Sequence, residues 1–423
     1  MHIAPVTGGC SCDTLSGSVE MMSVADALHR ALAQVTPITD NETVPLTDAL
    51  GRVTAGTIRA AKAMPFFDNS AMDGFALRAA DLEGRCCLPV AGTVAAGDTP
   101  CALPDGAAMR IYTGAPLPDG ADTVVMREVC IDKSHKVHFS CPPKLGDNIR
   151  RAGSDQAKGE VLVGKGVRIA PRHIGLLAAN GLRQVAVVRR PRVAVFSTGE
   201  EVTTGPCGPG QIPDANRPLL CALLAQHGAE ISDLGILPDD PVASTARFAG
   251  LGARFDLIVT SGAVSMGGKD HIREALTMAG GRVNGWRVAI KPGKPVMFGT
   301  LGDAAFTGLP GNPFAVYVGF HLFVSAQIAR MTGAAPQPFA ASPASAGFDW
   351  LRKPGRAEVF PVRQSGHDAA GLPILHRLGA GVSATLLPLA RADGLAIVAA
   401  DTSAVALGDG LHWHPFCTLG APS

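Results

Sequence analysis

Aromatic residues make up only 5% of the 423-residue chain, with two tyrosines and three tryptophans, so its cores must be filled by aliphatic side chains and alanine. An excess of either charge is missing too. A formal net charge of +1 leaves no electrostatic footprint for nucleic acid or for an anionic membrane surface. No apolar run reaches the length of a membrane span. The beginning, Met1-His-Ile-Ala-Pro-Val-Thr7, has neither the basic region nor the apolar stretch of a secretory signal. Ten cysteines are scattered along the chain, which reads as the reduced thiols of a cytoplasmic protein rather than a disulfide framework. Cys10-Ser-Cys12 and Cys86-Cys87 are the close pairs. Neither has a second pair of ligands at zinc-site spacing, which argues against a thiolate metal site. Ser-His-Asp spacing, nucleophile elbow, Walker loop and dinucleotide fingerprint are all absent. The histidines are dispersed, and His173, His227, His271 and His321 read as structural.

What is present is aliphatic bulk, at 47% hydrophobic residues, in a chain long enough for roughly two to four domains. Its centre is Asp256-Leu-Ile-Val-Thr-Ser-Gly-Ala-Val-Ser-Met-Gly-Gly-Lys-Asp270. Asp256–Thr260 is apolar and β-branched without alternation, as in a strand covered on both faces. Ser261, Gly262, Ser265, Gly267 and Gly268 then allow a ligand close to the backbone. Asp270 opens a helical pattern through Ile272, Ala275, Leu276 and Ala279, with Gly280 as the stop. Such a strand–loop–helix puts polar groups at a strand's carboxyl end, where open α/β sheets bind ligands.

In chain order, residues 1–20 read as a flexible tail, and Ser23 with Asp26 caps a helix continuing through Leu32 and Val35. A second amphipathic piece is expected near Leu46–Arg59. Short strands at Pro89–Val94, Ala108–Thr113, Thr123–Val129 and Lys136–Phe139 form a β-rich section, and Ile169–Leu182 is helical again with Pro171 in its first turn. Residues 21–60 and 156–189 thus read as an N-terminal helical domain with a small β domain, 61–155, inserted. Strands alternate with helices over 190–333, including a long helix from Asn312 to Arg330, which argues a doubly wound, mostly parallel sheet domain. Residues 334–423 read as a C-terminal small β domain behind an Ala/Pro/Ser-rich linker, Ala334–Ser345. The fold class expected is multidomain α/β plus β.

Four loops would converge at the carboxyl edge of the α/β sheet: Ser197–Glu201, Ser261–Asp270, Ile290–Pro295 and Gly308–Pro313. They supply Glu200, Glu201 and Asp270 as carboxylates and Lys269, Lys291 and Lys294 as cations, with Arg287 just before. Three of only ten lysines fall in this sector. Cations beside spare carboxylates suit a phosphorylated ligand with Mg²⁺. If Trp286–Lys291 is one strand, Arg287 and Lys291 share a face.

Several stretches together resemble one family. They are Phe67-Asp-Asn-Ser-Ala-Met-Asp-Gly-Phe-Ala76, Arg110-Ile-Tyr-Thr-Gly-Ala-Pro116, Gly120-Ala-Asp-Thr-Val-Val-Met126, Asn148-Ile-Arg-Arg-Ala-Gly153, Phe196-Ser-Thr-Gly-Glu-Glu201, the central stretch, Ile290-Lys-Pro-Gly-Lys-Pro295 and Gly308-Leu-Pro-Gly-Asn-Pro313. In this order they resemble the MoeA family of molybdopterin molybdenumtransferases, to which the C-terminal domain of gephyrin also belongs. The resemblance runs from about Ser23 to the end of the chain and is weakest over the last domain. It implies insertion of molybdate into adenylylated molybdopterin with Mg²⁺-dependent release of AMP. It also implies a cytoplasmic homodimer with a composite site, and the molybdopterin adenylyltransferase as a partner to expect. By position it implies Asp73, Thr113, Glu201 and Asp270 as catalytic, and Asp239, Asp270 and Glu201 as metal ligands. Substrate would be bound by Arg150, Asp155, Ser261, Gly262, Ser265, Arg287, Lys291, Lys294, Pro310 and Pro313. Arg287 stands where the family often has Lys, and Ala263 and Gly268 replace a common Gly and Glu. The alternatives are an adenylyltransferase-like enzyme and a catalytically silent, gephyrin-like scaffold.

Overall fold

The computed structural model describes residues 21–133, 135–262, 271–336, 339, 342–379 and 386–416. Ser265, Lys269, Asp270, Ala263 and Gly268 lie outside them. The chain divides into two units, one of residues 1–41, 51–53 and 188–423, the other of residues 42–50 and 54–187.

The first unit is built on a six-stranded sheet in the order Glu230–Leu237, Arg192–Thr198, Leu257–Ser261, Ala304–Leu309, Pro295–Leu301 and Arg282–Arg287. The first four strands are parallel and the last two antiparallel. Every residue of Leu257–Ser261 and Ala304–Leu309 is buried, because helices cover both faces. On one face Val193, Val195, Leu257 and Val259 pack with Leu220, Leu224, Val316 and Phe320. On the other, Ala194, Phe196, Ile258 and Phe306 pack with Phe248, Leu251, Ile272 and Leu276. This is the doubly wound, mostly parallel sheet that the sequence pattern predicts.

The expected long helix is present in three pieces. Asn312 Oδ1 accepts from Phe314 N and Pro313 takes the first helical position; the turn widens to a π-helix over Phe320–Val324 and ends at Thr332. Pro313–Thr332 is apolar and long enough to cross a membrane by length and composition, yet 72% of its apolar window is buried in the fold. Its buried Gln327 donates to Ala31 O and accepts from Thr307 Oγ1, pinning the helix to both the sheet and the N-terminal helix. That N-terminal helix, Val24–Ala33, has the expected cap, with Ser23 Oγ accepting from Asp26 N at 3.1 Å. It buries Ala27 and Ala31 against Val288, Ile290, Phe298 and Val318.

The C-terminal strands curl into a second sheet. Ala357–His367 pairs with Pro373–Arg377 on one side and Gly394–Val398 on the other, and Ser342–Ala346 and Gly410–Pro415 complete the circuit around Phe360, Val362, Leu375 and Trp413. Two expectations are corrected here. The last part of the predicted linker is the strand Ser342–Ala346, whose small buried side chains Ala344 and Ala346 hid it in an Ala/Pro/Ser stretch. Trp286–Lys291 is not one strand: Arg282–Arg287 pairs with Pro295–Leu301 in the central sheet, whereas Ile290–Lys291 pairs with Ala357–Glu358 in the C-terminal one. The period-two argument for Arg287 and Lys291 therefore does not apply.

In the second unit the sheet order is Thr123–Met126, Gly74–Leu77, Ala108–Ile111, Cys87–Val94, Lys136–Phe139 and Cys130–Asp132. The strands expected from the sequence are all there. Phe75, Leu77, Leu88 and Val137 fill one core; Ala76, Val94, Ile111 and Val124 fill another. The remainder combines the helix Pro171–Ala179 with three short ribbons, Asn41–Pro45 against Gln184–Val188, Ile58–Arg59 against Val161–Val163 and Asn69–Ser70 against Ile149–Arg150. The amphipathic piece expected near Leu46–Arg59 contains only the 3₁₀ turn Leu46–Asp48 as helix. Gly51 in a left-handed conformation breaks the pattern, and Thr54 is captured by Gly164 O and Val167 O instead.

Candidate active site

At the carboxyl edge of the central sheet, Ser197 and Thr198 end one strand and Thr260 and Ser261 the next, all buried. Thr198 Oγ1 donates to Ser261 O at 3.2 Å, and Gly262 N donates to Leu309 O at 3.1 Å. Gly262 has φ +93°, and a Cβ there would sit 2.5 Å from Thr198 Oγ1 and 2.6 Å from its carbonyl oxygen. The three loops thus touch through backbone. Ser197 Oγ donates to Asp214 at 2.5 Å; Asp214 also accepts from Arg217 N and Nε, and Arg217 pairs in turn with Asp233. The Arg217 guanidinium holds the Asp233 carboxyl below its ordinary range. Asn216 Nδ2 reaches Gly311 O at 2.7 Å. Among the described residues, the buried Asn216 Oδ1, Thr260 Oγ1 and Ser261 Oγ have no hydrogen-bond partner, so polar capacity is left at this edge. Pro310 is buried and Pro313 half-buried beside it.

Two of the three expected metal ligands, Glu201 and Asp239, follow adjacent strand ends, and the third, Asp270, lies outside the described residues. Thr198 is in register with Leu237, so Glu201 follows one strand by three residues and Asp239 its neighbour by two. Glu201 is exposed and Asp239 partly exposed. Hard carboxylate oxygens left to solvent at this edge fit Mg²⁺, which keeps most of its water and takes only one or two protein carboxylates.

Lys291 pairs with the C-terminal sheet rather than the central one. Its Nζ is 3.0 Å from Glu358, a carboxylate only 6% exposed that also lies 3.7 Å from Arg352 Nε. Lys291, Arg352, Lys353, Arg356 and Glu358 line a cavity of about 260 Å³ with Trp350 and Leu351. Four cations against one carboxylate leave the lining with a net positive charge. Arg287 and Lys294 are half-buried.

In the second unit, Asp73 accepts from Thr113 N at 2.7 Å and from Thr113 Oγ1 at 2.8 Å, and these bonds hold its carboxyl below the ordinary range. Arg150 is in register with Asn69, and Asp68 accepts from Ala152 N and pairs with Arg151 at 2.6 Å. Asp155 is exposed, with its backbone N–H on Met64 O. Phe66, Phe67, Met72 and Tyr112 are 42–54% exposed around this group, an apolar rim on a charged centre. The structure therefore gathers Asp73 and Thr113 directly, with Arg150 on the adjoining ribbon.

Residues 22–181 match the MoeA N-terminal region (domain I and II), residues 194–330 a probable molybdopterin binding domain, and residues 343–416 the MoeA C-terminal region (domain IV). A molybdopterin molybdenumtransferase of Haemophilus influenzae is 40% identical over 317 residues, 74% of this chain and 78% of its own length. The chain belongs to the molybdopterin molybdenumtransferase family. A relative of that name from Nostoc is 36% identical over 85% of both chains. The crystal structure of a molybdopterin biosynthesis MoeA protein from Pyrococcus horikoshii superposes with a TM-score of 0.79 at 27% identity, covering 94% of this chain and all of the other. As a member of this family the chain is a transferase of molybdenum cofactor biosynthesis.

Sequence reasoning missed Asp214, Asn216 and Arg217, which tie two loops together, and Arg352, Lys353 and Arg356 beside Lys291. For the latter a signal existed: Arg352-Lys-Pro-Gly-Arg356 concentrates three cations in a stretch read only as part of a β domain.

Proposed function

We propose that the chain inserts molybdenum from molybdate into adenylylated molybdopterin, with Mg²⁺-dependent release of AMP, as a cytoplasmic homodimer whose site combines residues of both subunits. The observation that carries this reading is the basic cavity around Lys291. Its size and charge suit a small tetrahedral dianion, held by charge-assisted hydrogen bonds each contributing about 1.5–3 kcal/mol. The unpartnered hydroxyls of Thr260 and Ser261 and the close backbone at Gly262 support a polar, phosphorylated ligand lying along the sheet edge. Glu201 and Asp239 would hold Mg²⁺, joined by Asp270. Bound there, the metal would supply charge neutralisation at the phosphoanhydride. Lys294 and Arg287 would orient the phosphates. In the reaction the phosphoanhydride P–O bond breaks as a water oxygen adds to phosphorus and AMP leaves, while the two dithiolene thiols replace an oxo group of molybdate, which departs as water carrying their protons. Asp73, kept ionised by Thr113, would contribute its carboxylate from the second unit, and the exposed rim of Phe66, Phe67, Met72 and Tyr112 supports burial against a partner subunit. The molybdopterin adenylyltransferase would supply the substrate.

The test is incubation of purified protein with adenylylated molybdopterin, molybdate and Mg²⁺. AMP should appear only when all three are present, and Lys291→Ala should raise the molybdate requirement at least tenfold, the equivalent of about 1.4 kcal/mol. A protein that releases no AMP from the adenylylated pterin is the silent scaffold instead. One that only adenylylates free molybdopterin is the adenylyltransferase.

A further inference from the structure

We propose that Cys86, Cys87 and His138 form a transition-metal site of the zinc class, with two thiolates and one imidazole as ligands and a fourth position open to solvent. The ligand atoms of the three side chains all lie within 4.8 Å of one another. A tetrahedral ion with bonds of about 2.3 Å to sulfur and 2.0–2.1 Å to nitrogen fits between them after a small closure of side chains. The sequence hid this site because the vicinal pair lacks a second ligand at close spacing; the third comes from a strand about fifty residues on, brought in by sheet pairing.

The backbone explains why the three converge. Cys87 begins its strand and stands directly opposite His138 in an antiparallel pair, so both side chains project from one face of the sheet. The residues next to them, Leu88 and Val137, are also opposite each other and point into the core. Cys86 lies in the bend just before the strand and is not bound by the strand's alternation, so its sulfur comes over the same face. Its carbonyl accepts from Phe139 N at 2.9 Å, which fixes the bend on the His138 strand. Cys130, across from Phe139, turns its thiol toward Met126 O at 3.3 Å and stays outside the cluster.

Hydrophobic packing does not account for this arrangement. Cys86 is exposed, Cys87 and His138 are half-exposed, and all three soft donors share one patch on the outer side of the sheet. Thiolate and imidazole together favour Zn²⁺ or a softer ion over Mg²⁺, so the site would not compete for the metal proposed at Glu201 and Asp239. It is also remote from Asp73 and Thr113. Cys87 and Val94 are the two ends of one strand, and Val94 pairs with Ile111 just before Thr113, which places the cluster roughly 20 Å away at about 3.3 Å per residue. Three protein ligands on neighbouring strands would pin the start of the Cys87 strand to the Lys136–Phe139 strand.

The experiment uses the full-length, untagged protein with Cys10→Ser and Cys12→Ser, so that tail thiols do not contribute. Zn²⁺ is titrated against a competing chromophoric chelator, and Co²⁺ is added to read the visible bands of tetrahedral thiolate coordination. One ion per chain should bind, Co²⁺ should give those bands, and Cys86→Ser and His138→Asn should each weaken Zn²⁺ binding at least tenfold. Cys86 lies outside the strand, so its variant keeps the fold, which circular dichroism checks. Absence of stoichiometric binding by the parent overturns the proposal. So does unchanged affinity in either folded variant.

Discussion

Gly262 is where the central loops come closest, and its replacement by alanine isolates what that approach is worth. The φ of +93° already disfavours any side chain, and the added Cβ would overlap Thr198 Oγ1 and the Thr198 carbonyl oxygen at 2.5 and 2.6 Å. A backbone oxygen cannot rotate away, so the strand end must shift. Backbone strain of about 1–3 kcal/mol and overpacking of a further 1–3 kcal/mol sum to roughly 2–6 kcal/mol. Gly280 provides the matched control: its φ is +86°, but a Cβ would meet nothing within 4 Å, so Gly280→Ala carries only a left-handed cost of about 1–2 kcal/mol. Urea unfolding of the two variants, compared by midpoint at constant slope, reads the difference. AMP release from the adenylylated pterin reads the consequence at the site, where Gly262→Ala pushes Thr198 away from Ser261 and should lose far more activity than Gly280→Ala. Equal destabilisation and equal activity of the two variants would refute the claim that the loops meet through backbone at Gly262.

Two further outcomes are expected. His321 is packed among Tyr317, His414 and His227, and burial lowers its pKa from the ordinary 6.5 to about 3. Unfolded chains therefore bind the proton first as pH falls, and stability should drop between about pH 6.5 and 3 by up to about 1.4 kcal/mol per unit. His321→Phe should flatten that dependence in urea titrations at pH 7 and pH 5; an unchanged difference between the two pH values would remove His321 as the cause. For the composite site, mixing inactive Asp73→Asn and Asp270→Asn chains should restore about half the parental rate per verified heterodimer, since one of two sites is then intact. Verified heterodimers with no AMP release would place both residues in the same subunit's site.

Local signals were legible in this sequence, and long-range pairings were not. Ser23 with Asp26, and Asn312 with Pro313, marked helix starts because a cap is settled within a few residues. The unbroken apolar run of Asp256–Thr260 announced a strand covered on both faces for the same reason. The strand Ser342–Ala346 carries no β-branched side chain and exists because Gly410–Pro415 and Pro373–Arg377 flank it. In the candidate site, Lys291 and the Ser197 loop could be read from motifs. Asp214, which accepts directly from Ser197 Oγ, and Glu358, which holds Lys291, lie seventeen and sixty-seven residues from the groups they fix. Only the fold brings them together.

Within Ile290-Lys-Pro-Gly-Lys-Pro295, the two lysines belong to different sheets. Lys294 directly precedes the central strand Pro295–Leu301, while Lys291 is hydrogen-bonded into the C-terminal sheet through Ala357–Glu358. A gene cut at the apparent domain junction near Ala334 would therefore keep every strand of the central sheet and still strip Lys291 of its neighbouring strand and its counter-ion. The C-terminal sheet carries two residues of this six-residue motif, Ile290 and Lys291, so a tilt of that sheet would change the spacing of two cations only three residues apart.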